Sequence, residues 1–334
     1  MKLALMKNAH DIIVEERVLP EIDHDELLLK VDACGICGTD RTSAIDGWPN
    51  HGTFGHEIAA TVLGSRDAKM PVGARIVLDS STACGRCTSC KDGNQELCTD
   101  IATIFRKPVL GFSEQMIAPV LSAVPYAHLK PEYACLAEPL GVALDMHRLA
   151  DIAMGSHVVV SGLGTIGLMA IRLARLSGAE RIYACGTSRS KTRQEAALAF
   201  GADEIIEVDK TPLAPSLFSK PPDRFMVTAP PKTIPEMIAI AGKGAIISYI
   251  GIKHGEEAMI SFDANQFHFN KLQLRGSFAA PAMRTPEAVR LLENGTIDAA
   301  KLVTHVFEFS AIAEAVRVAV EDPNAIKVVV NFAA

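Results

Sequence analysis

Cys84, Cys87, Cys90 and Cys98 follow one another in the pattern C-x2-C-x2-C-x7-C. Four thiolates on one loop can close a tetrahedral shell around zinc with no position left open, which makes such a site structural. Closely spaced cysteines also hold iron–sulfur clusters, but the spacing to the fourth suits one poorly. A second set of ligand types is dispersed: Cys34-Gly35-Ile36-Cys37-Gly38-Thr39-Asp40 and, further on, Gly55-His56-Glu57. Cys37 and His56 are ligands suited to zinc, and Glu57 or Glu138 can complete the protein's share while leaving a place for water or substrate. Cys34, nearer a strand, can equally be a core residue.

A third element is Gly162-Leu163-Gly164-Thr165-Ile166-Gly167, a G-x-G-x-x-G run that follows the apolar strand His157–Val160 and opens a helix. That context turns a weak pattern into a dinucleotide-binding expectation. Gly162 permits the tight turn, Gly164 lets backbone approach a pyrophosphate, and Gly167 lets helix and strand pack closely. Thr165 and Ile166 begin the helix, whose free N–H groups attract phosphate. An NAD site usually places an acid about 20 residues later, on the ribose 2′-hydroxyl. Here the segment reads Cys185-Gly186-Thr187-Ser188-Arg189-Ser190-Lys191, with Arg193 just behind and no carboxylate. Thr187, Ser188, Arg189 and Arg193 offer the hydroxyl and cationic donors that a 2′-phosphate needs. NADP is therefore expected over NAD, the alternative being that these are solvated charges at a helix start.

The elements that must position these groups fall into two textures. Up to about residue 130 the chain is β-rich, with short apolar runs such as Glu26–Val31 and Arg75–Leu78 between Gly, Pro and Asp turns. A helix is expected over Tyr133–Leu149. Strand and helix then alternate: strands at His157–Val160, Arg181–Ala184, Ile205–Ile206, Phe225–Val227, Ala245–Tyr249 and Leu272–Leu274, and helices at Ile166–Ser177 and Ser190–Phe200. That rhythm implies a parallel, doubly wound sheet. The tail from Pro286 holds two helices and strands at Val303–Phe307 and Val328–Val330, and need not join that sheet. The 334 residues suit about two domains. A net charge of −6 argues against a nucleic-acid partner. No apolar run approaches the roughly 18 residues of a membrane span, and the first residues are too polar for a signal peptide, so a cytoplasmic location is expected.

The order of Cys37-Gly38-Thr39-Asp40, Gly55-His56-Glu57, the four-cysteine loop, Glu138-Pro139-Leu140 and the Gly162 motif resembles the zinc-containing medium-chain alcohol dehydrogenases over nearly the whole chain. Glu138-Pro139-Leu140 resembles the sorbitol, threonine and polyol branch, and Ser188-Arg189-Ser190 resembles NADP-using members. The resemblance implies an α/β protein: a GroES-like β-rich catalytic domain over 1–130 and 279–334, with its zinc loop at 84–98, and a Rossmann doubly wound parallel-sheet domain over 131–278. It implies two zinc ions per chain. Cys37, His56 and Glu57 would bind the catalytic ion, with Glu138 ligating directly or through water. Asp40 would orient a ligand and Thr39 would take the substrate proton. The implied reaction is hydride transfer between NADP(H) and a secondary alcohol, polyol or sugar-derived alcohol. An aldehyde reductase and a non-catalytic NADP-binding scaffold are the rivals. A homodimer or homotetramer is implied. Two features depart from the family pattern. Thr42 stands where many relatives carry a proton-relaying His. Ala279-Ala280 follows Gly276-Ser277-Phe278 where polyol enzymes are often polar. Trp48 and Phe112 are candidate pocket residues, though buried aromatics are usually core, and Arg106, Lys107 and Arg284 are scattered cations.

Overall fold

The structure, a computed structural model, describes residues 1–332. The chain divides into two compact units, one of Met1–Gly141 with the chain from Ala279 onward, the other of Val142–Phe278.

The first unit is built on an antiparallel sheet whose central strand is Glu26–Gly35. That strand alternates in burial, with Leu27, Leu29, Val31 and Ala33 facing the core, the period-2 pattern of a half-covered sheet. Near its end the alternation stops and Cys34 is buried as well, where Lys327–Asn331 pairs antiparallel with it. Glu57–Ser65 flanks it on the other side, followed by Arg75–Leu78 and Ala123–Pro125; Gln115–Pro119 also pairs with it. Val303–Glu308 lies parallel beyond Lys327–Asn331. The helix Ile312–Glu321 buries Ile312, Ala315, Val316 and Ala319, an i, i+3, i+4, i+7 stripe, against this sheet.

The second unit is a six-stranded parallel sheet in the order Glu204–Glu207, Arg181–Gly186, His157–Ser161, Arg224–Val227, Ile246–Tyr249, Gln273–Gly276. By position in the unit this is 3-2-1-4-5-6, the doubly wound dinucleotide-binding order. His157–Ser161 is central and buried at every position, as expected of a parallel strand covered on both faces.

Residues 131–141, assigned from sequence to the nucleotide-binding half, group instead with the first unit. The reason is packing: the short helix Pro131–Ala134 lies on Glu26–Gly35, Glu57–Ser65 and Lys327–Asn331, and Ala134, Cys135 and Leu136 are fully buried. The single helix expected over Tyr133–Leu149 is accordingly two, Pro131–Ala134 and Ala137–Ala150. Among the described residues, no helix is long and apolar enough to cross a membrane.

Candidate functional site

Cys37 caps the helix Gly38–Asp46, and Asp40 bonds that cap and lies near His56. One Asp40 oxygen accepts the Cys37 backbone N–H at 2.9 Å, as the third helical residue does in a capping box. The other accepts the Gly55 N–H at 3.4 Å and lies 4.0 Å from His56 Nδ1. Both carboxylate oxygens thus bond backbone in the segments that present Cys37 and His56. Burial works to lower the His56 pKa, but the adjoining Cys37, Asp40 and Glu138 outweigh it and hold the value well above the ordinary one. Burial pushes the Asp40 carboxyl upward, against the pull of His56 and the Cys37 N–H. Glu138, in the first turn of Ala137–Ala150, is pushed up to about 7 by burial, with Glu57 adding to the rise and His56 opposing it. Cys37, His56 and Glu138 therefore share one electrostatic neighbourhood, and sulfur, imidazole and carboxylate together suit zinc.

Glu57, expected among the ligands, is engaged elsewhere. Its two oxygens accept from Lys327 Nζ at 2.7 and 2.6 Å, both side chains are almost wholly buried, and Lys327 also donates to the Ile36 carbonyl at 3.0 Å. A carboxylate in so apolar a setting needs a full countercharge, and the strand Lys327–Asn331 supplies it. Lys327 was not singled out from the sequence; its signal is a cation heading an otherwise apolar strand. Thr39 is exposed on the first turn of the helix. Thr42, at the place of the usual relay histidine, donates to the Gly38 carbonyl at 3.1 Å within its own helix. His51 pairs with Asp11 at 2.9 Å.

Of the aromatic candidates, Phe112 is a core residue, 1% exposed and packed on Phe54 at 4.5 Å. Trp48 lies against Gly52, where a Cβ would come within 2.9 Å of its ring. The aromatic residue beside the histidine is Phe105, with ring centroids 5.6 Å apart and the Phe105 side chain half exposed. Among the scattered cations, Lys107 is paired with Glu26, and Arg284 lies 3.9 Å from Glu287. Cys34 is buried in the core cluster of the first unit.

The four-cysteine loop converges. The sulfurs of Cys84, Cys87, Cys90 and Cys98 all lie within 4.8 Å of one another, and among the described residues this is the one His, Cys, Asp or Glu set of three or more that does so. Cys87 Sγ and Cys98 Sγ are 3.8 Å apart, close to the roughly 3.8 Å edge of a tetrahedron with zinc–sulfur bonds of about 2.3 Å. The Arg86 and Cys87 N–H groups point at Cys84 Sγ at 3.5 and 3.4 Å, and the Cys84 N–H at Cys98 Sγ at 3.3 Å. Such donors favour thiolate over thiol: they hold Cys84 below its ordinary value, and N–H groups of Cys90 and Thr99 bring Cys87 to about 6. The residues fit a closed zinc shell.

In the second unit the glycine turn runs from Ser161 into the helix Thr165–Leu176. Gly162 has φ of 97°, in the left-handed region, and a Cβ there would meet Thr228 Oγ1 at 2.5 Å. A Cβ on Gly167 would strike the Gly162 carbonyl at 1.9 Å, whereas Gly164, the helix N-cap, faces open space. Two close approaches and one open cradle fit a pyrophosphate against the helix start.

The end of the second strand carries a feature the sequence reading missed. Asp209 accepts from both the Ser188 N–H and the Ser188 hydroxyl, each at 2.7 Å. Glu207 binds Lys191 at 3.1 Å, Gln194 at 3.0 Å and Lys210 at 2.7 Å, and these donors bring its pKa to about 2. Both acids come from the next strand and its exit, 21 and 16 residues beyond their respective partners Ser188 and Lys191. A search confined to the second strand therefore finds no carboxylate. Thr187 and Arg189 are exposed.

Known proteins resemble this chain over most of its length. Residues 23–128 match the family model described as alcohol dehydrogenase GroES-like domain, and residues 165–294 that of zinc-binding dehydrogenase. The chain is 29% identical to sorbitol dehydrogenase of Bacillus subtilis (strain 168), over 97% of this chain and 95% of that one. A protein named as a short chain alcohol dehydrogenase (RspB) from Escherichia coli CFT073, solved with NADH, superposes with a TM-score of 0.88 at 25% identity, covering 99% of each chain. A zinc-binding dehydrogenase from Sinorhizobium meliloti 1021, solved with NADP, gives 0.86 at 27% identity, over 99% of this chain and 98% of that one.

Proposed function

The chain belongs to the zinc-containing medium-chain dehydrogenases of the alcohol dehydrogenase superfamily, and on that footing we propose that it transfers a hydride between NADP(H) and a secondary alcohol, polyol or sugar-derived alcohol and its ketone. That it is a zinc-dependent alcohol or polyol oxidoreductase using a nicotinamide cofactor follows from the family. The observation that carries the catalytic-zinc reading is the Cys37–His56 pair, with Asp40 bonded to the Cys37 and Gly55 N–H groups beside it.

Cys37, His56 and Glu138 would hold the catalytic zinc, with Glu57 available only by giving up Lys327. When bound, zinc supplies a Lewis acid to the substrate oxygen and the nicotinamide supplies the hydride acceptor. The protein's own part is placement. Asp40, 4.0 Å from His56 Nδ1, would act on the ring as a nearby charge. Thr39, exposed beside Cys37, would take the proton from the substrate hydroxyl. Phe105 would cover the histidine side and keep water off the reacting oxygen. Cys84, Cys87, Cys90 and Cys98 would hold a second, structural zinc. In the other unit Gly162, Gly164, Thr165, Ile166 and Gly167 would cradle the pyrophosphate, and Thr187, Ser188, Arg189 and Arg193 would receive the 2′-phosphate.

NADP preference is supported by the hydroxyl and cationic donors of that segment and by the relative solved with NADP; the relative solved with NADH shows that both cofactors are used on this fold. Asp209 works against the 2′-phosphate, since it already occupies the donors of Ser188. Asp209→Asn should therefore tighten NADP binding by roughly threefold to tenfold while changing NAD binding less than twofold, because an exposed ionic hydrogen bond is screened. Calorimetric titration of both cofactors measures this, and equal changes for the two would remove Asp209 from cofactor choice.

The polyol branch is supported by the similarity to a sorbitol dehydrogenase. A homodimer or homotetramer is supported by the edge strand Gln273–Gly276, which among the described residues pairs on one side only and has exposed Phe269 and Phe278 near its two ends. The function is tested by incubating zinc-loaded enzyme with polyols, sugar acids, secondary alcohols and aldehydes, each with NAD and NADP, and following the reduced nicotinamide absorbance. Oxidation of a secondary or sugar-derived alcohol, faster with NADP, is expected. Turnover confined to aldehydes would favour the reductase, and none with any substrate would favour a scaffold.

A further inference from the structure

The helix that starts from Cys37 carries a cation that its own unit leaves unanswered. Arg41 Nε is buried with no hydrogen-bond partner, and among the described residues no carboxylate pairs with its guanidinium. Asp40, next to it in the chain, is committed to the Cys37 and Gly55 N–H groups. A guanidinium has five N–H donors, no acceptor, and stays charged at any ordinary pH. Its Nε, shut off from water, gains a partner when an anion meets the fork.

Its position says which anion. Arg41 lies four residues after Cys37, and its backbone N–H bonds the Cys37 carbonyl, so it projects one helical turn from Cys37 on the same side. A substrate whose reacting oxygen sits at Cys37 and His56 would bring its neighbouring carbons toward Arg41. The planar fork of the guanidinium matches a carboxylate or a phosphate monoester and gains little from a neutral hydroxyl.

We propose that Arg41 is the anion-recognition residue of the substrate site, and that the physiological alcohol carries a carboxylate or phosphate, as an aldonic acid or a sugar-alcohol phosphate does. This rests on the dehydrogenase reading and narrows its substrate class.

The test is calorimetric binding to the zinc-loaded enzyme, with sorbitol, gluconate and sorbitol 6-phosphate as probes, in wild type, Arg41→Gln and Arg41→Lys. Wild type should bind gluconate or the phosphate about tenfold to a hundredfold more tightly than sorbitol, the factor associated with a charge-assisted hydrogen-bonded pair. Whichever of the two gains identifies the anion as carboxylate or phosphate. Arg41→Gln should erase the difference with sorbitol binding unchanged, and Arg41→Lys should keep part of it. The proposal is overturned if neither charged probe exceeds sorbitol in wild type, or if the preference survives in Arg41→Gln. It is overturned too if Arg41→Gln weakens NAD and NADP alike and leaves the substrate preference intact, which would assign the guanidinium to a cofactor phosphate. Failure of the dehydrogenase reading looks different: no alcohol would be oxidised with either cofactor, whatever the binding order of the probes.

Discussion

Cys37→Ser should lower turnover by at least about a thousandfold while leaving the protein folded and its melting temperature little changed. The two halves of that expectation have separate causes. On the proposed reading turnover depends on holding an electrophilic ion beside His56, and losing about 4 kcal/mol of transition-state stabilisation corresponds to roughly three powers of ten. Serine is a far weaker zinc ligand than a thiolate, so the loss should appear in kcat and not only in KM. Stability should be spared because Cys37 is a partly exposed helix cap whose backbone N–H is bonded by Asp40, and serine is a favourable residue at a helix N-cap. Steady-state kinetics with a substrate found in the panel, alongside a thermal melt, separates the two. A Cys37→Ser enzyme within tenfold of wild type would contradict the assignment of Cys37.

Lys327→Met should destabilise the protein by roughly 3–5 kcal/mol, the range for removing one partner of a buried ion pair. The substitution leaves the Glu57 carboxylate, 1% exposed, with no countercharge and deprives the Ile36 carbonyl of its donor. The surroundings cannot give way to let water in. Gly35 sits opposite Glu57 in the strand register, and a Cβ there would come within 2.2 Å of a Glu57 oxygen, so the carboxylate is wedged between backbone and lysine. The double variant Lys327→Met with Glu57→Gln should recover most of the loss, because the buried charge is gone along with its partner. Denaturant unfolding of the four proteins, wild type, both singles and the double, measures the coupling. Additive single effects would mean that the pair does not act as a unit.

The parts of this protein written in local sequence were legible before any coordinates. The four-cysteine loop is compact in the chain, so its spacing already contained its geometry. The glycine turn needs one strand and one helix, both adjacent to it, and each glycine is explained by its nearest neighbours. Asp40 is three residues from the cap that it serves. Lys327 and Glu57 were another matter. They are 270 residues apart, and only the antiparallel placement of Lys327–Asn331 beside Glu26–Gly35 brings them together. Nothing in the local pattern of His56-Glu57 says that the glutamate looks toward a lysine rather than toward a metal. Asp209 escaped for a related reason: the adjacent strand delivers it in parallel register, so the site at the end of one strand is finished by the next. Arg41 stood in plain view beside Asp40, but its significance lies in the partners it lacks, which is a property of packing. The boundary at residue 131 was missed because hydrophobic burial, not chain texture, decides to which unit a short helix adheres.

The claim on which the rest depends is that this chain holds two zinc ions, one in the cysteine loop and one at Cys37 and His56. Metal analysis of purified wild type and Cys37→Ser, by plasma mass spectrometry against protein concentration, tests it most directly. Two zinc ions per wild-type chain and one per Cys37→Ser chain, with turnover lost alongside the missing ion, is the result predicted. Full activity with a single zinc in wild type, or two zinc ions retained in Cys37→Ser, would contradict it.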